Sequence, residues 1–454
     1  MKPPLVPGLL LALGGCAALP QGDAPVGVQQ AWVQAVARPA WAVRALTADV
    51  TCPTLRWPGG SAAMQPRSAP GVLPPPPGNA EPLRKPTRFT LSACEATWPA
   101  GVSSLAVGSV TLQAPAQELR RIVVLGDTGC RLKASAHAFQ GCNNTLNWPF
   151  ARVLARALEL KPDLVVHVGD YHYRESPCPA AMMVCAHSPW GYGDDTWQAD
   201  FFQPAQALLA AAPWVFVRGN HEACSRAGQG WLRYLDAEAG PARACAPGSA
   251  AGSFNDGDFT APFAVPLSTH SQLIVFDSAE IGSRTPPRGS TAWARWREQL
   301  EQVAALSAQA TQSLFVSHHP SLAVDPAQPG APTAARSGLT PLLLEAEPHR
   351  MFAPGVQATL HGHLHMFQAL GFASNHPITL VVGNGGSETF SQVDDAAALK
   401  AELMPGAVLE TVQTHTTFGF TLLTATPQGW ALQAFNTLGQ PLASCTLAGQ
   451  TLRC

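Results

Sequence analysis

Five short polar runs in this chain could together act on a phosphate ester. They are Gly126-Asp127-Thr128-Gly129, Gly169-Asp170-Tyr171-His172-Tyr173, Gly219-Asn220-His221-Glu222, Ser317-His318-His319-Pro320 and His361-Gly362-His363-Leu364-His365. Hydrolysis of such an ester requires neutralised phosphoryl oxygens and a hydroxide at moderate pH, and two metal ions about 3.5–4 Å apart supply both. A metal pair needs a bridging carboxylate. Asp170 is the candidate, because Gly169 beside it lets the backbone approach the metals closely. His and Asn offer neutral ligands, Asp brings charge, and the glycines permit sharp turns.

Ligands so far apart in sequence meet only on a scaffold that gathers them. The apolar runs Ile122–Leu125, Leu164–Val168, Trp214–Val217, Leu273–Phe276, Leu314–Val316, Val356–Leu360 and Thr379–Val382 read as buried strands, and each polar cluster follows one of them. In open α/β sheets the ligand site lies beyond the carboxyl ends of the strands, so all five clusters can converge. Helices are predicted over Trp148–Leu160 and Ala292–Leu306. From Ala17 to about Gln117 the texture differs, with β-like runs at Trp41–Thr51, Thr87–Ala93 and Ser104–Leu112. They are broken by Pro70–Pro86, which reads as a stiff exposed loop. The expected organisation is an α/β protein with a small β-rich N-terminal domain over 16–117. A catalytic domain over 118–454 follows, ending in a β segment.

The ordered series resembles the calcineurin-like metallophosphoesterases and, more narrowly, the purple acid phosphatases, over roughly Arg120 to Glu388. That family reads Asp-x-Gly, Gly-Asp-x-x-Tyr, Gly-Asn-His-Asp/Glu, Val-x-x-His and Gly-His-x-His, and all but the fourth pattern match in full. The resemblance implies a four-layer α/β/β/α sandwich. It also implies that Asp127, Asp170, Tyr173 and His365 hold one metal, and Asp170, Asn220, His318 and His363 the other. Other branches carry Asp-x-His in the first cluster, but here Gly129 stands at that place, and Tyr173 fills the gap. A hard phenolate favours Fe(III), while the mixed N/O set of the second metal suits Zn, Fe or Mn. Tyr171 competes for the phenolate role, but the family spacing points to Tyr173. In the fourth cluster Phe315 stands where the family has Val if His318 is the ligand; restoring Val, as Val316, makes His319 the ligand. His318 is preferred, since it follows the strand most closely and precedes Pro320 by two.

His221 is expected beside the metals without binding them, protonating the leaving alkoxide or orienting the phosphate, with Asn220 also at the substrate and Glu222 as a supporting partner. His172 and His319 read as walls of the site. His137, His167, His187, His270, His349, His376, His415 and Asp277 read as ordinary surface or core residues. Gly383-Asn384-Gly385-Gly386-Ser387 reads as a tight turn under the site rather than a phosphate cradle, since no helix signature follows it.

Composition narrows the setting. The 454 residues carry 28 basic and 30 acidic side chains, a net charge of −2, which excludes a strongly basic nucleic-acid binder. Met1 to Gly15 has the form of a signal peptide, and Leu13-Gly14-Gly15-Cys16 resembles a bacterial lipobox in which Cys16 is acylated; the alternative is ordinary cleavage after Ala17 or Ala18. Either way the protein is expected to be exported; acylated, it is a periplasmic or outer-membrane lipoprotein facing the periplasm or exterior, and any membrane contact is through the lipid. Without Cys16 the eleven cysteines leave an even set, which in an exported chain favours disulfides. Loop entropy and clustering pair near neighbours: Cys52 with Cys94, Cys130 with Cys142, Cys178 with Cys185, Cys224 with Cys245, and Cys445 with Cys454.

The expected activity is hydrolysis of small phosphate monoesters of the acid phosphatase type, a metal-bound hydroxide attacking phosphorus in line. A phosphodiesterase or nucleotide hydrolase on the same site is the nearest rival. A catalytically silent metal-containing binding protein and an N-terminal adhesion module are rivals from other classes. The loops Pro177–Phe201 and Ser225–Phe259 are expected to wall the pocket.

Overall fold

The computed structural model describes residues 27–76, 78, 81–246, 257–327, 333–335 and 337–454. Cys16 and the leader lie outside them. Two large sheets dominate. In the first, the parallel strands Arg121–Leu125, Leu164–His167 and Pro213–Phe216 lie side by side, extended on one flank by the antiparallel C-terminal strands from Gly419–Thr426 onward. In the second, Ser271–Val275, Gln312–Val316, Val356–His361 and Ile378–Val382 run parallel, with antiparallel strands at both edges. Each of the seven runs read as buried strands is present within two residues of its reading, whereas Trp41–Thr51 is shifted to Arg38–Thr47 and the runs Thr87–Ala93 and Ser104–Leu112 are each divided between two strands.

Alternation along these strands builds the layers. Val124, Val166 and Val215 of the first sheet meet Val275, Val316 and Leu360 of the second in one core between the sheets. Val123, Val165 and Trp214, one residue out of phase, pack on the other face against Val153, Leu154 and Leu208 of the helices Phe150–Glu159 and Gln203–Ala211. Ile274, Phe315 and Val381 likewise meet Trp296, Leu300 and Leu342 of the helices Thr291–Ser307 and Leu339–Ala346. The result is the expected four-layer α/β/β/α sandwich. The helix Thr291–Ser307 starts where the Ser290 side chain accepts the Trp293 N–H, and Trp296, Leu300 and Val303 recur on its buried face.

The segment before Gln117 is β-rich, and it is bonded into the main sheet. Val28–Val36, a strand that the sequence reading did not single out, pairs in parallel with Pro213–Phe216, and Arg38–Thr47, Ser92–Thr97 and Gln65–Ser68 continue outward from it. A four-stranded sheet that includes Thr54–Trp57 and Ser104–Val107 packs on this extension through Leu55, Leu105 and Val107. The Pro-rich stretch is mostly exposed, but it is not wholly a loop. Gly71–Leu73 pairs with Thr87–Phe89, and the buried Glu81 accepts bonds from Ser135 and Ser176 beside the site.

The five disulfides join the five expected pairs. Such bonding fits an oxidising compartment. Among the described residues no helix is long and apolar enough to cross a membrane.

Candidate dinuclear metal site

The ligand loops leave their strands in conformations that few side chains adopt. Asp127, Asp170 and His363 all have positive φ, at 54°, 58° and 70°, and Gly169 between strand and Asp170 has φ 102°. Such backbone costs about 1–3 kcal/mol per residue and is kept where the surroundings over-determine it. The surroundings here are the neighbouring loops themselves. Asp127 N–H donates to Gly169 O and Thr128 N–H to Asp170 O, both at 3.0 Å, so the first two clusters continue the parallel pairing of their strands. A Cβ on Gly219 would lie 2.1 Å from Asp170 Oδ1, and one on Gly362 2.5 Å from Asp127 Oδ2. Both glycines are required by close approach.

On these loops the expected ligands meet. Tyr173 Oη lies 3.0 Å from Asp127 Oδ1, 2.9 Å from Asp170 Oδ2 and 2.9 Å from His365 Nε2. His318 Nε2 lies 3.2 Å from Asp170 Oδ2 and 3.1 Å from Asn220 Oδ1, which is 3.0 Å from His363 Nδ1. Two groups of donor atoms thus share Asp170. Asp170, His318 and His363 keep their ligand atoms within 4.8 Å of one another.

The imidazoles are aimed. His365 Nδ1 is bonded to Glu388 O and His318 Nδ1 to Val168 O, which leaves each Nε2 lone pair facing the carboxylates, as metal-ligating histidines are usually held. His319 instead bonds Ser278 Oγ through Nδ1, with its ring against that of His363. The geometry therefore places His318 among the donors and His319 in the wall. Tyr171 is excluded from the donor set: its hydroxyl bonds Val217 O and His167 O within an aromatic cluster. His172 is buried against Tyr192 and Trp197.

The electrostatics fit a cationic occupant. Asp127, Asp170 and Tyr173 are all essentially buried, which is costly for two carboxylates unless positive charge accompanies them. Burial raises Asp127 well above the usual carboxylate range, whereas at Asp170 the same burial is outweighed by His318 and His221, and its pKa falls. Burial and the two carboxylates push the Tyr173 phenol up. Burial holds His363 and His365 at about 3, neutral and able to coordinate. The donor chemistry therefore suits metal ions, with Asp127, Tyr173 and His365 on one side of Asp170 and Asn220, His318 and His363 on the other.

A model of the calcineurin-like phosphoesterase family matches residues 120–367, which span the five clusters and the sheets that carry them. The chain belongs to the calcineurin-like phosphoesterase family. No protein of curated function matches it by sequence. Among solved structures it is similar to a purple acid phosphatase from yellow lupin (Lupinus luteus) seeds, at TM-score 0.55 and 14% identity over 92% of this chain and 74% of that one. It is also similar to PhoD, at TM-score 0.50 and 11% identity over 93% of this chain and 91% of that one. At such identities the likeness is one of fold, and it extends beyond the family region to both flanks.

Around the phosphoesterase donors stand supporting residues, two from the third cluster and three from outside any motif. Glu222 is fully buried, and its carboxylate accepts the backbone N–H groups of Gly219, Asp170, Tyr171 and His172 at 2.9–3.1 Å, so it pins the bridging loop rather than lying beside it. Asp200, in a π-helical turn over Gln198–Phe202, accepts Tyr173 N–H at 2.8 Å, Cys130 N–H at 3.0 Å and Arg174 Nε at 2.6 Å. His221 Nδ1 is 3.0 Å from His172 O and 2.9 Å from Glu175 Oε1, and its Nε2 is 3.8 Å from Asp170 Oδ2. Arg226 bonds Glu175 and lies 2.6 Å from His221 Nε2. Burial and Arg226 lower His221 to about 3. Both loops expected as walls do border the site, one through Asp200 and the other through Arg226; residues 247–256 of the latter lie outside the described residues. Each had only a position in a wall loop to single it out.

The turn Gly383–Ser387 spends its N–H groups on protein. Gly385 N–H donates to Gly126 O and Ser387 N–H to Asp127 O, so it braces the first ligand loop from below. Asp277 accepts Thr260 and Ala279 N–H groups and faces Arg218, a structural role.

Proposed function

We propose that this phosphoesterase hydrolyses phosphate monoesters at a dinuclear centre of the purple acid type. Asp127, Asp170, Tyr173 and His365 would hold Fe(III), and Asp170, Asn220, His318 and His363 a second ion, Zn, Fe or Mn. The observation that carries the reading is Tyr173 Oη within 3.0 Å of Asp127, Asp170 and His365, a phenol placed where only a hard cation repays its deprotonation. When bound, the ions neutralise phosphoryl oxygens and acidify water.

The protein's own groups do the rest. Asp170 draws the two donor sets together, and Glu222 fixes the loop that carries it. His221 is neutral with its proton at Nδ1 on His172 O, so its Nε2, on the side of the carboxylates, is an acceptor that can orient a protonated phosphoryl oxygen or a water. Asn220, His363 and Arg226 are only partly covered, and they mark the side from which an ester enters.

Hydrolysis of p-nitrophenyl phosphate beside bis(p-nitrophenyl) phosphate, by protein of known metal content, tests the proposal. Monoester preference is expected. Diester preference would transfer the site to the phosphodiesterase reading, and a metal-replete protein inert toward both would support the binding-protein reading. Export through a lipidated Cys16 belongs to the same proposal, and mass analysis of the mature N-terminus checks it.

A further inference from the structure

One cation beside the donor cluster is unaccounted for by the metal site. Arg226 is not a ligand, yet its side chain is 15% exposed at the open side of the site, next to the partly covered Asn220 and His363. Its Nη2 reaches both Glu175 and His221, and its Nη1 lies 3.3 Å from Asn220 O. Glu175 is buried and holds the guanidinium on one side, with His221 Nδ1 2.9 Å from the same oxygen and Lys133 Nζ 3.9 Å away. Two cations thus face one carboxylate, and the guanidinium stands at the open side of the site.

We propose that Arg226, positioned by Glu175, selects phosphate monoesters by binding the unesterified phosphoryl oxygen that a diester replaces with a second ester group. This rests on the dinuclear reading above. A monoester dianion presents three unesterified oxygens. If two face the metals, the third is free to take a charge-assisted bond from a guanidinium, which is about twice as strong as a neutral one. A diester has only two such oxygens. Its third position carries an alkyl or aryl group that takes no bond from Arg226 and covers part of its guanidinium from water, so the lost bond comes with a desolvation cost. Glu175 acts through Arg226 and is a positioning residue.

The test uses the full exported chain with its metals, in wild-type, Arg226→Met, Arg226→Lys and Glu175→Gln forms, with metal content measured in each. Arg226→Met should weaken binding of inorganic phosphate by about 10–100-fold and lower kcat/KM for p-nitrophenyl phosphate by a similar factor. Its kcat/KM for bis(p-nitrophenyl) phosphate should change less than about 3-fold, and Arg226→Lys should recover part of the monoester loss while keeping the metals. Glu175→Gln should lower the monoester-to-diester ratio without emptying the site. Equal losses for both esters, or unchanged phosphate affinity in Arg226→Met, would overturn the assignment. A wild-type protein inert toward both esters would defeat the phosphatase reading, and the phosphate affinities would then decide the role of Arg226 on their own.

Discussion

Gly129 and Tyr173 fit together only because Gly129 has no side chain: a Cβ there would lie 2.9 Å from Tyr173 Cδ2, 2.6 Å from Tyr171 O and 2.9 Å from Asp200 Oδ2. The position at which other branches of the superfamily resemble Asp-x-His is closed to any larger residue while the tyrosine loop passes over it. The tyrosine loop leaves no room for a histidine there. Gly129→Ala should therefore displace Tyr173 and lower affinity for the metal it faces by about 10–100-fold, with the fold retained. Metal titration beside a far-UV spectrum checks this, and unchanged affinity would show that the loop yields without cost.

Asp170→Asn should remove metal and activity together, because both donor sets use this carboxylate. Glu222→Gln is the finer probe. It keeps the shape but replaces one carboxylate oxygen with an NH2 that cannot accept from the N–H groups of Gly219 and Asp170, or of Tyr171 and His172, on that side. The expected loss in metal affinity or activity is about 10–100-fold. A fully active, metal-replete Glu222→Gln protein would show that the loop holds its shape unaided.

His221→Ala should keep its metals and lose mainly turnover, by about 100–10,000-fold, since the bond from His221 to Asp170 Oδ1 comes from the backbone N–H, which alanine retains, while its imidazole bonds His172 O and Glu175. Loss of metal in this variant would mean that the imidazole supports the site rather than serving the reaction.

Metal uptake should depend on pH in a way that separates the two ions. In the metal-free protein burial opposes charge on His318, but Asp170 outweighs it and the pKa rises from 6.5 to about 9. The folded value is the higher one, so the stabilisation from protonated His318 is complete below about pH 6.5 and is lost as pH rises through about 9. A metal that takes His318 below that pH must expel its proton, whereas His363 has none to lose. Affinity at the His318 set should thus rise about tenfold per pH unit and level off above about pH 9, whereas at the Tyr173 set the rise should continue beyond that pH, since burial and the carboxylates raise the phenol whose proton must leave. Calorimetric titration across neutral pH reads both slopes. A flat profile would contradict the assigned protonation.

Much of this site was legible because each cluster follows an apolar run, and strand ends in such sheets face one place. The preference for His318 over His319 rests on its distance from the strand and its place two before Pro320, and its Nε2 lies 3.2 Å from Asp170 Oδ2. What was illegible is held by tertiary contact alone. Asp200 and Arg226 sit in loops with no periodicity, and their bonds to Tyr173 and His221 have no counterpart in spacing. Val28–Val36 carries polar residues among its apolar ones, such as Gln30 and Gln34, so nothing marked it as an inner strand; Gln34 is buried because its amide bonds Leu235 O. The short helix Leu339–Ala346 is an apolar run too brief for its period to separate helix from strand.

The central claim is a phenolate ligand in a two-metal site, and visible absorption of iron-loaded protein tests it most directly. Two metal ions per chain and a broad phenolate-to-iron charge-transfer band are predicted for the wild type, with the band lost in Tyr173→Phe. An iron-loaded wild type without the band, or a Tyr173→Phe protein that keeps it, would contradict the account.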